Sequence, residues 1–374
     1  MNKPENNRSN RAVCLNQYHL LYILTGAVTL LPLCRIFVSG NGALSVELLY
    51  TAALQIGTLL TSGLLFNRVF PPAKNEWSAC IGTLLYMTCP YRIQACYGAS
   101  DPGRTLAWML LPLYLWAVLG ILSGVRQLST QGGALGSLPA GMRKFQYFAL
   151  ASLVLAGIGY ADPVFFITVA GLTLPAAIYA RNRQCFLLPF AGCALFLPGL
   201  YRLALYLFTD RYDGLQLPLG PIMQDGYRLG EYLHAYISRH DNPGMGIGML
   251  LCLLTCIWLQ FVADQEESPD RETLRMHKLS VFFTIMGIFL TALSSCYFPW
   301  DVFQRPGRWA LKLISMIETP TVFWGMAYLC LCVPAARAVQ QLESRVDSRT
   351  ARTVRLLVIS FCIGTTAFML TRFL

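Results

Sequence analysis

Eleven long apolar runs dominate this sequence, near residues 19–39, 45–66, 79–97, 105–124, 145–160, 164–180, 185–208, 244–263, 279–299, 320–336 and 354–373. A stretch of about 20 apolar residues spans a bilayer as a helix, because only internal hydrogen bonding satisfies backbone groups in hydrocarbon. With 13% charged and 55% hydrophobic residues over 374 positions, the chain lacks the charge that clothes a soluble surface. The expected fold is all-α: a polytopic transmembrane bundle of about eleven spans, within a range of ten to twelve. A tail over 1–18 would precede a single helical domain over 19–374. The first run, starting near His19, carries no small-residue cleavage site and reads as a span or signal anchor.

Charge sets the orientation. The net charge of +10 comes from 29 Lys and Arg against 19 Asp and Glu. With the N-terminal tail inside, eighteen Lys and Arg fall on inner segments and ten on outer ones, with Arg35 inside the first span. Cytoplasmic loops carry the cationic excess, so the N-terminus is expected inside the cell and the C-terminus outside. The substantial external loops are then 90–104, 209–243 and 301–319. No basic stripe interleaved with stackable aromatics is present, which argues against nucleic acid as a partner. Most of the 13 cysteines sit within apolar runs and read as small packing residues.

Common soluble-enzyme signatures are missing: the sequence contains no Walker-type glycine loop, HExxH or GxSxG. The closely spaced Gly244, Gly246 and Gly248 open an apolar run and read as a place of close helix approach. His234 and His240 lie six apart, which does not put two ligands on one helix face, and Asp241 does not complete a site.

Two blocks of residues are more distinctive. Over 84–114, Leu85, Tyr86, Pro90, Tyr91, Arg92, Tyr97, Gly103, Ala107, Pro112 and Leu113 fit the pattern L-Y-x-L-x-P-Y-R-L, then Tyr, then a Gly-containing segment closed by P-L. Later come Phe298-Pro299-Trp300 and, some twenty residues on, Pro320. Together these resemble bacterial multi-pass membrane proteins of the GT-C glycosyltransferase superfamily. The resemblance implies a GT-C-like bundle in the cell membrane that uses a polyprenyl-phosphate-linked sugar at the outer face. Departures accompany it. The family's Glu of a Gly-Glu pair is Arg104 here, and the family's first span with its long acidic loop is expected to be absent. A truncated, non-catalytic scaffold or partner subunit of the same descent is therefore the alternative, and a transporter the remaining one.

Such a transfer needs a carboxylate to take the acceptor proton and cations to neutralise a phosphate leaving group. The cations expected at the lipid headgroup are Arg92 and Arg104 on one external loop, with Arg305 and Arg308 on another; arginine suits phosphate because its fork donates two parallel bonds. Arginines snorkelling to separate lipids are the competing explanation. For the base, the candidates are Asp101, Asp162 and Asp301, of which the last two directly follow spans. No metal site is expected; a divalent ion would suit the phosphate, yet no ligand spacing supports one. The aromatics Tyr201, Tyr206, Phe208, Tyr212, Tyr227, Tyr232 and Tyr236 could stack a sugar, although an interfacial belt accounts for most of them.

Overall fold

The structure is a computed structural model, which describes residues 21, 23–27, 30, 46–97, 101–123, 140–208, 225–233, 244–262, 271–317 and 320–371. Its helices in chain order begin with α1 (Val46–Val69), α2 (Pro72–Met87), α3 (Pro90–Tyr97), α4 (Pro102–Ser123) and α5 (Ala140–Ala161). They continue with α6 (Pro163–Ala180), α7 (Arg183–Leu195), α8 (Leu197–Phe208), α9 (Leu229–Leu233) and α10 (Ile247–Val262). The last are α11 (Arg271–Ser294), α12 (Trp300–Gln304), α13 (Arg308–Ser315), α14 (Val322–Arg345) and α15 (Ser348–Thr371). No strand occurs among the described residues, so the fold is all-α as expected; an isolated bridge joins Tyr227 to Ser295.

Among the described residues, five helices are long and apolar enough to cross a membrane, at Leu49–Val69, Pro102–Leu122, Leu274–Ser294, Val322–Leu342 and Ser348–Met369. The pair α7 and α8 makes a sixth if one bent span is counted, and shorter apolar helices lie at Trp77–Met87, Pro163–Ile178 and Ile247–Leu259. Exposed faces carry Leu60, Leu64, Ile285 and Ile288, which suits lipid and not water. The chain is a multi-pass membrane protein.

The chain divides into two compact units. The first comprises Met1–Ser100, Met223–Phe298 and Thr319–Leu374; the second comprises Asp101–Ile222 and Pro299–Glu318. In the first unit α14 is the central helix. Its residues 322–329 and 331–339 are buried, Arg337 among them, and α2, α10 and α11 pack around it. Close approach is achieved with small residues. A methyl group added at Gly287 of α11 would sit 2.8 Å from the Leu331 side chain, and one at Gly248 of α10 would collide with Cys362 of α15. The glycine cluster at 244–248 thus serves helix packing at Gly248, as its spacing implies. In the second unit α5 packs against α4, α6 and α7, and α8 lies against α7 and α13.

Prolines cause the differences from the sequence expectation. The run 79–97 is two helices, not one: α2 ends at Met87, the Thr88 hydroxyl donates to the Leu84 carbonyl at 2.7 Å, and Pro90, which has no N–H to continue the ladder, opens α3. The segment 90–104 is consequently helical over 90–97 and again from Pro102, not an extended polar loop. The run 185–208 breaks at Phe196 into α7 and α8, bent by 76°. Pro198 enforces that break by removing a donor and crowding the carbonyl four residues earlier. Within the segment 301–319, the described residues 301–317 include α12 and α13. Of the segment 209–243, residues 225–233 are described; His234, His240 and Asp241 lie outside the described residues.

Candidate functional site

The turn between α5 and α6 gathers two of the three candidate carboxylates around one arginine. Asp162 is the N-cap of α6: its Oδ1 accepts from the Val164 N–H at 2.8 Å and the Phe165 N–H at 3.2 Å. Its Oδ2 accepts from Arg104 Nε at 3.4 Å. The same Nε lies 3.7 Å from Asp101 Oδ2, while Asp101 Oδ1 accepts the Arg104 backbone N–H at 3.0 Å. The two helix starts come this close because of Gly103, where a Cβ would stand 2.5 Å from the Ala161 carbonyl oxygen. Burial pushes the Asp162 carboxyl above its ordinary value, and the Arg104 charge and the two N–H groups oppose that rise. Asp162 Oδ1 therefore spends its lone pairs on the helix it caps, and Asp101 and Asp162 act first as structural groups.

Asp301 differs. It stands in the first turn of α12, directly after Phe298-Pro299-Trp300, beside the buried Trp300, whose ring lies 6.4 Å from that of Phe303. Its Oδ1 is buried and accepts no hydrogen bond among the described residues. A buried carboxylate oxygen without a donor is costly. Arg305 ends α12 and Arg308 begins α13, both exposed. One turn on, Lys312 is buried at 8% exposure; its Nζ donates to the Tyr206 carbonyl at 3.0 Å and lies 5.5 Å from the Tyr206 ring centre.

Beside the same turn the second unit contains a cavity of about 400 Å3. Gly159, Tyr160 and Pro163 line it from α5 and α6, and Phe196, Pro198, Gly199, Arg202, Leu203 and Tyr206 from the α7–α8 break, with Met316 completing the wall. The break makes this space: the Phe196 ring sits over Gly199, where a side chain would collide with it. Tyr160 stands edge-on to Phe196 at 4.9 Å. Arg202 is the charged residue of the lining.

In the first unit Arg92 is an interior residue, 1% exposed. Its Nη1 donates to Gln55 Oε1 at 2.6 Å and its Nη2 to the Met87 carbonyl at 2.5 Å, and the guanidinium lies 5.9 Å from the Tyr86 ring centre. Arg92 Nε and Gln55 Nε2 are buried without an acceptor among the described residues. Arg92 thus ties α3 to α1 and closes the end of α2. Its neighbours Pro90 and Tyr91 are buried with it. Nearby, Tyr227 and Tyr232 stack at 4.9 Å; Tyr227 exchanges backbone bonds with Ser294 and Cys296, and the Tyr232 hydroxyl donates to the Thr291 carbonyl at 2.9 Å. Trp324 packs 4.8 Å from Tyr232.

The four arginines named from the sequence are accordingly divided: Arg92 belongs to the first unit, and Arg104, Arg305 and Arg308 to the second. Sequence reasoning passed over Gln55, Arg202 and Lys312. A lone amide in an apolar run was a visible signal for Gln55, a cation between aromatics was one for Arg202, and a lone cation between leucines was one for Lys312. No group of three His, Cys, Asp or Glu able to hold a metal ion occurs among the described residues. No protein-family model, curated protein or solved structure matches the chain.

Proposed function

We propose that this protein is a GT-C-like membrane glycosyltransferase, which moves a sugar from a polyprenyl phosphate to an acceptor hydroxyl at the outer face of the cell membrane. In this reading the five long helices, the bent pair α7–α8, the three shorter apolar helices, α5 and the run 19–39 make eleven spans, with the N-terminus cytoplasmic and the C-terminus external. The acceptor oxygen attacks the anomeric carbon while the bond from that carbon to the phosphate oxygen breaks. The acceptor proton passes to Asp301, and the lipid phosphate leaves with its electron pair. Arg305 and Arg308, within seven residues of Asp301, would supply the positive charge that a phosphate leaving group needs.

The observation that carries this reading is the buried Oδ1 of Asp301, which accepts no hydrogen bond among the described residues and directly follows the Phe298-Pro299-Trp300 motif. Purified protein incubated with a polyprenyl-monophosphate sugar and an acceptor pool should release lipid monophosphate. Asp301→Asn should abolish the release and Asp301→Glu should retain part of it. Full release by Asp301→Asn would remove Asp301 from the chemistry.

A second reading, a non-catalytic lipid-phosphate-binding subunit of the same descent, is favoured by one feature. The turn that places Asp162 beside the cavity spends its carboxylate on Arg104 and on capping α6, where the family pattern has a Glu in place of Arg104. Binding of the lipid phosphate with no turnover by the wild type would select this second reading.

A further inference from the structure

We infer that the Arg92–Gln55 contact inside the first unit is a binding site for one small monovalent anion of the chloride class. Arg92 and Gln55 are each 1% exposed, and Tyr86, Met87, Cys89 and Ile93 are buried with them. The guanidinium carries a fixed positive charge, since arginine keeps its proton inside proteins. Its acceptors are neutral: Gln55 Oε1 takes the bond from Nη1 and the Met87 carbonyl the bond from Nη2. The Tyr86 ring beneath it is uncharged as well. Among the described residues no carboxylate pairs with Arg92; the ion pairs there are those of Arg104 with Asp101 and Asp162. A buried charge with no opposite charge is strongly destabilising, and an ionisable group in a membrane interior is kept together with a partner.

The hydrogen bonds give the chemistry of that partner. Arg92 Nε and Gln55 Nε2 are both buried without an acceptor among the described residues. Each is bonded to the same carbon as one end of the 2.6 Å Nη1–Oε1 bond, so both lie next to it. Turning the amide over brings no relief, because Nε2 would then face Nη1, donor against donor. This place has N–H groups and positive charge in excess. A water accepting from them brings no charge and has two hydrogens of its own to place, whereas a halide only accepts and carries a full negative charge. The headgroup expected from the sequence at Arg92 is tied to its lipid and does not enter a place so closed; a bare monatomic ion does. The site needs no glycosyl transfer and is separate from Asp301.

The test is thermal unfolding of the purified full-length chain in neutral detergent micelles, followed by tryptophan fluorescence, as sodium chloride replaces sodium gluconate at constant ionic strength. An ion that binds the folded state alone raises the melting temperature, and the rise follows the logarithm of its concentration once the site is filled. The wild type should melt at least about 2 °C higher in chloride, and bromide should act alike. Gln55→Glu sets a carboxylate against the guanidinium and supplies the missing charge from the chain itself, so its melting temperature should not respond to chloride. A wild type indifferent to chloride would leave a water as the partner and overturn the proposal, whether or not the variant folds. An equal response in Gln55→Glu would make the effect one of salt on the surface or the micelle, and would also overturn it. Inorganic phosphate acting as chloride does would mark a site open to larger anions and overturn the closed halide site.

Discussion

Replacing Asp162 by Ala and, separately, by Asn separates the two roles of this side chain. Ala removes the N-cap of α6, where Oδ1 accepts from two backbone N–H groups at 2.8 and 3.2 Å; such a loss costs about 1 kcal/mol. It also removes the Oδ2 partner of Arg104, whose side chain is 16% exposed, for about 1 kcal/mol more. The sum is about 2 kcal/mol. Asn caps a helix as well as Asp does, but it puts an N–H2 group where Oδ2 accepted from Arg104, so it keeps the cap, loses the Arg104 partner and should cost about 1 kcal/mol, half the cost of Ala. The pH dependence has a definite sign. The folded-state pKa of Asp162 is raised above the ordinary 3.8, so the neutral form favours folding. That contribution is complete below 3.8 and is lost as pH climbs from there through the folded-state value. Denaturation in mixed detergent micelles, followed by circular dichroism at several pH values, reads both effects. Asn proving as damaging as Ala would refute the capping argument, and an unchanged pH profile in the Asn variant would refute the burial argument.

Arg92→Ala should destabilise the first unit by about 3 kcal/mol, because it strips Gln55 and the Met87 carbonyl of a buried charged donor; Arg349→Ala, at an exposed position, should change stability by less than about 0.5 kcal/mol in the same denaturation assay. Gly248→Leu should cost at least about 1–3 kcal/mol by forcing α10 away from Cys362, read as a lower melting temperature. Sidedness is tested by thiol labelling of intact cells: a cysteine at Asp225 should be labelled from outside and one at Glu267 should not, and the reverse would invert the topology.

The all-helical, membrane-spanning character was legible because span length and hydropathy are imposed by the bilayer itself. The breaks were less so. Pro90 and Pro198 sit in runs whose apolar content stays high, and hydropathy does not register a missing N–H; the proline signal was there but was outweighed by the run's length. The site shows the same division. The blocks around Pro90-Tyr91-Arg92 and Phe298-Pro299-Trp300 pointed to Arg92 and Asp301, but not to Arg92 being an interior strut. That outcome depends on Gln55, 37 residues earlier, meeting it from another helix. Likewise Arg104 looked like an isolated charge reversal, whereas Asp162, 58 residues later, answers it across the start of two helices. Pairings at such separations leave no local periodicity to read.

The central claim, sugar transfer from a lipid phosphate at the outer face with Asp301 as base, is tested most directly in sealed vesicles of defined orientation. Wild-type protein is reconstituted with a radiolabelled polyprenyl-monophosphate sugar, and released lipid monophosphate is measured while a membrane-impermeant acceptor is supplied on one side at a time. The account predicts release when the acceptor is on the side where a cysteine at position 225 is labelled, none when it is on the opposite side, and none from Asp301→Asn in either arrangement. Release driven from the side opposite position 225, or undiminished release by Asp301→Asn, would contradict it.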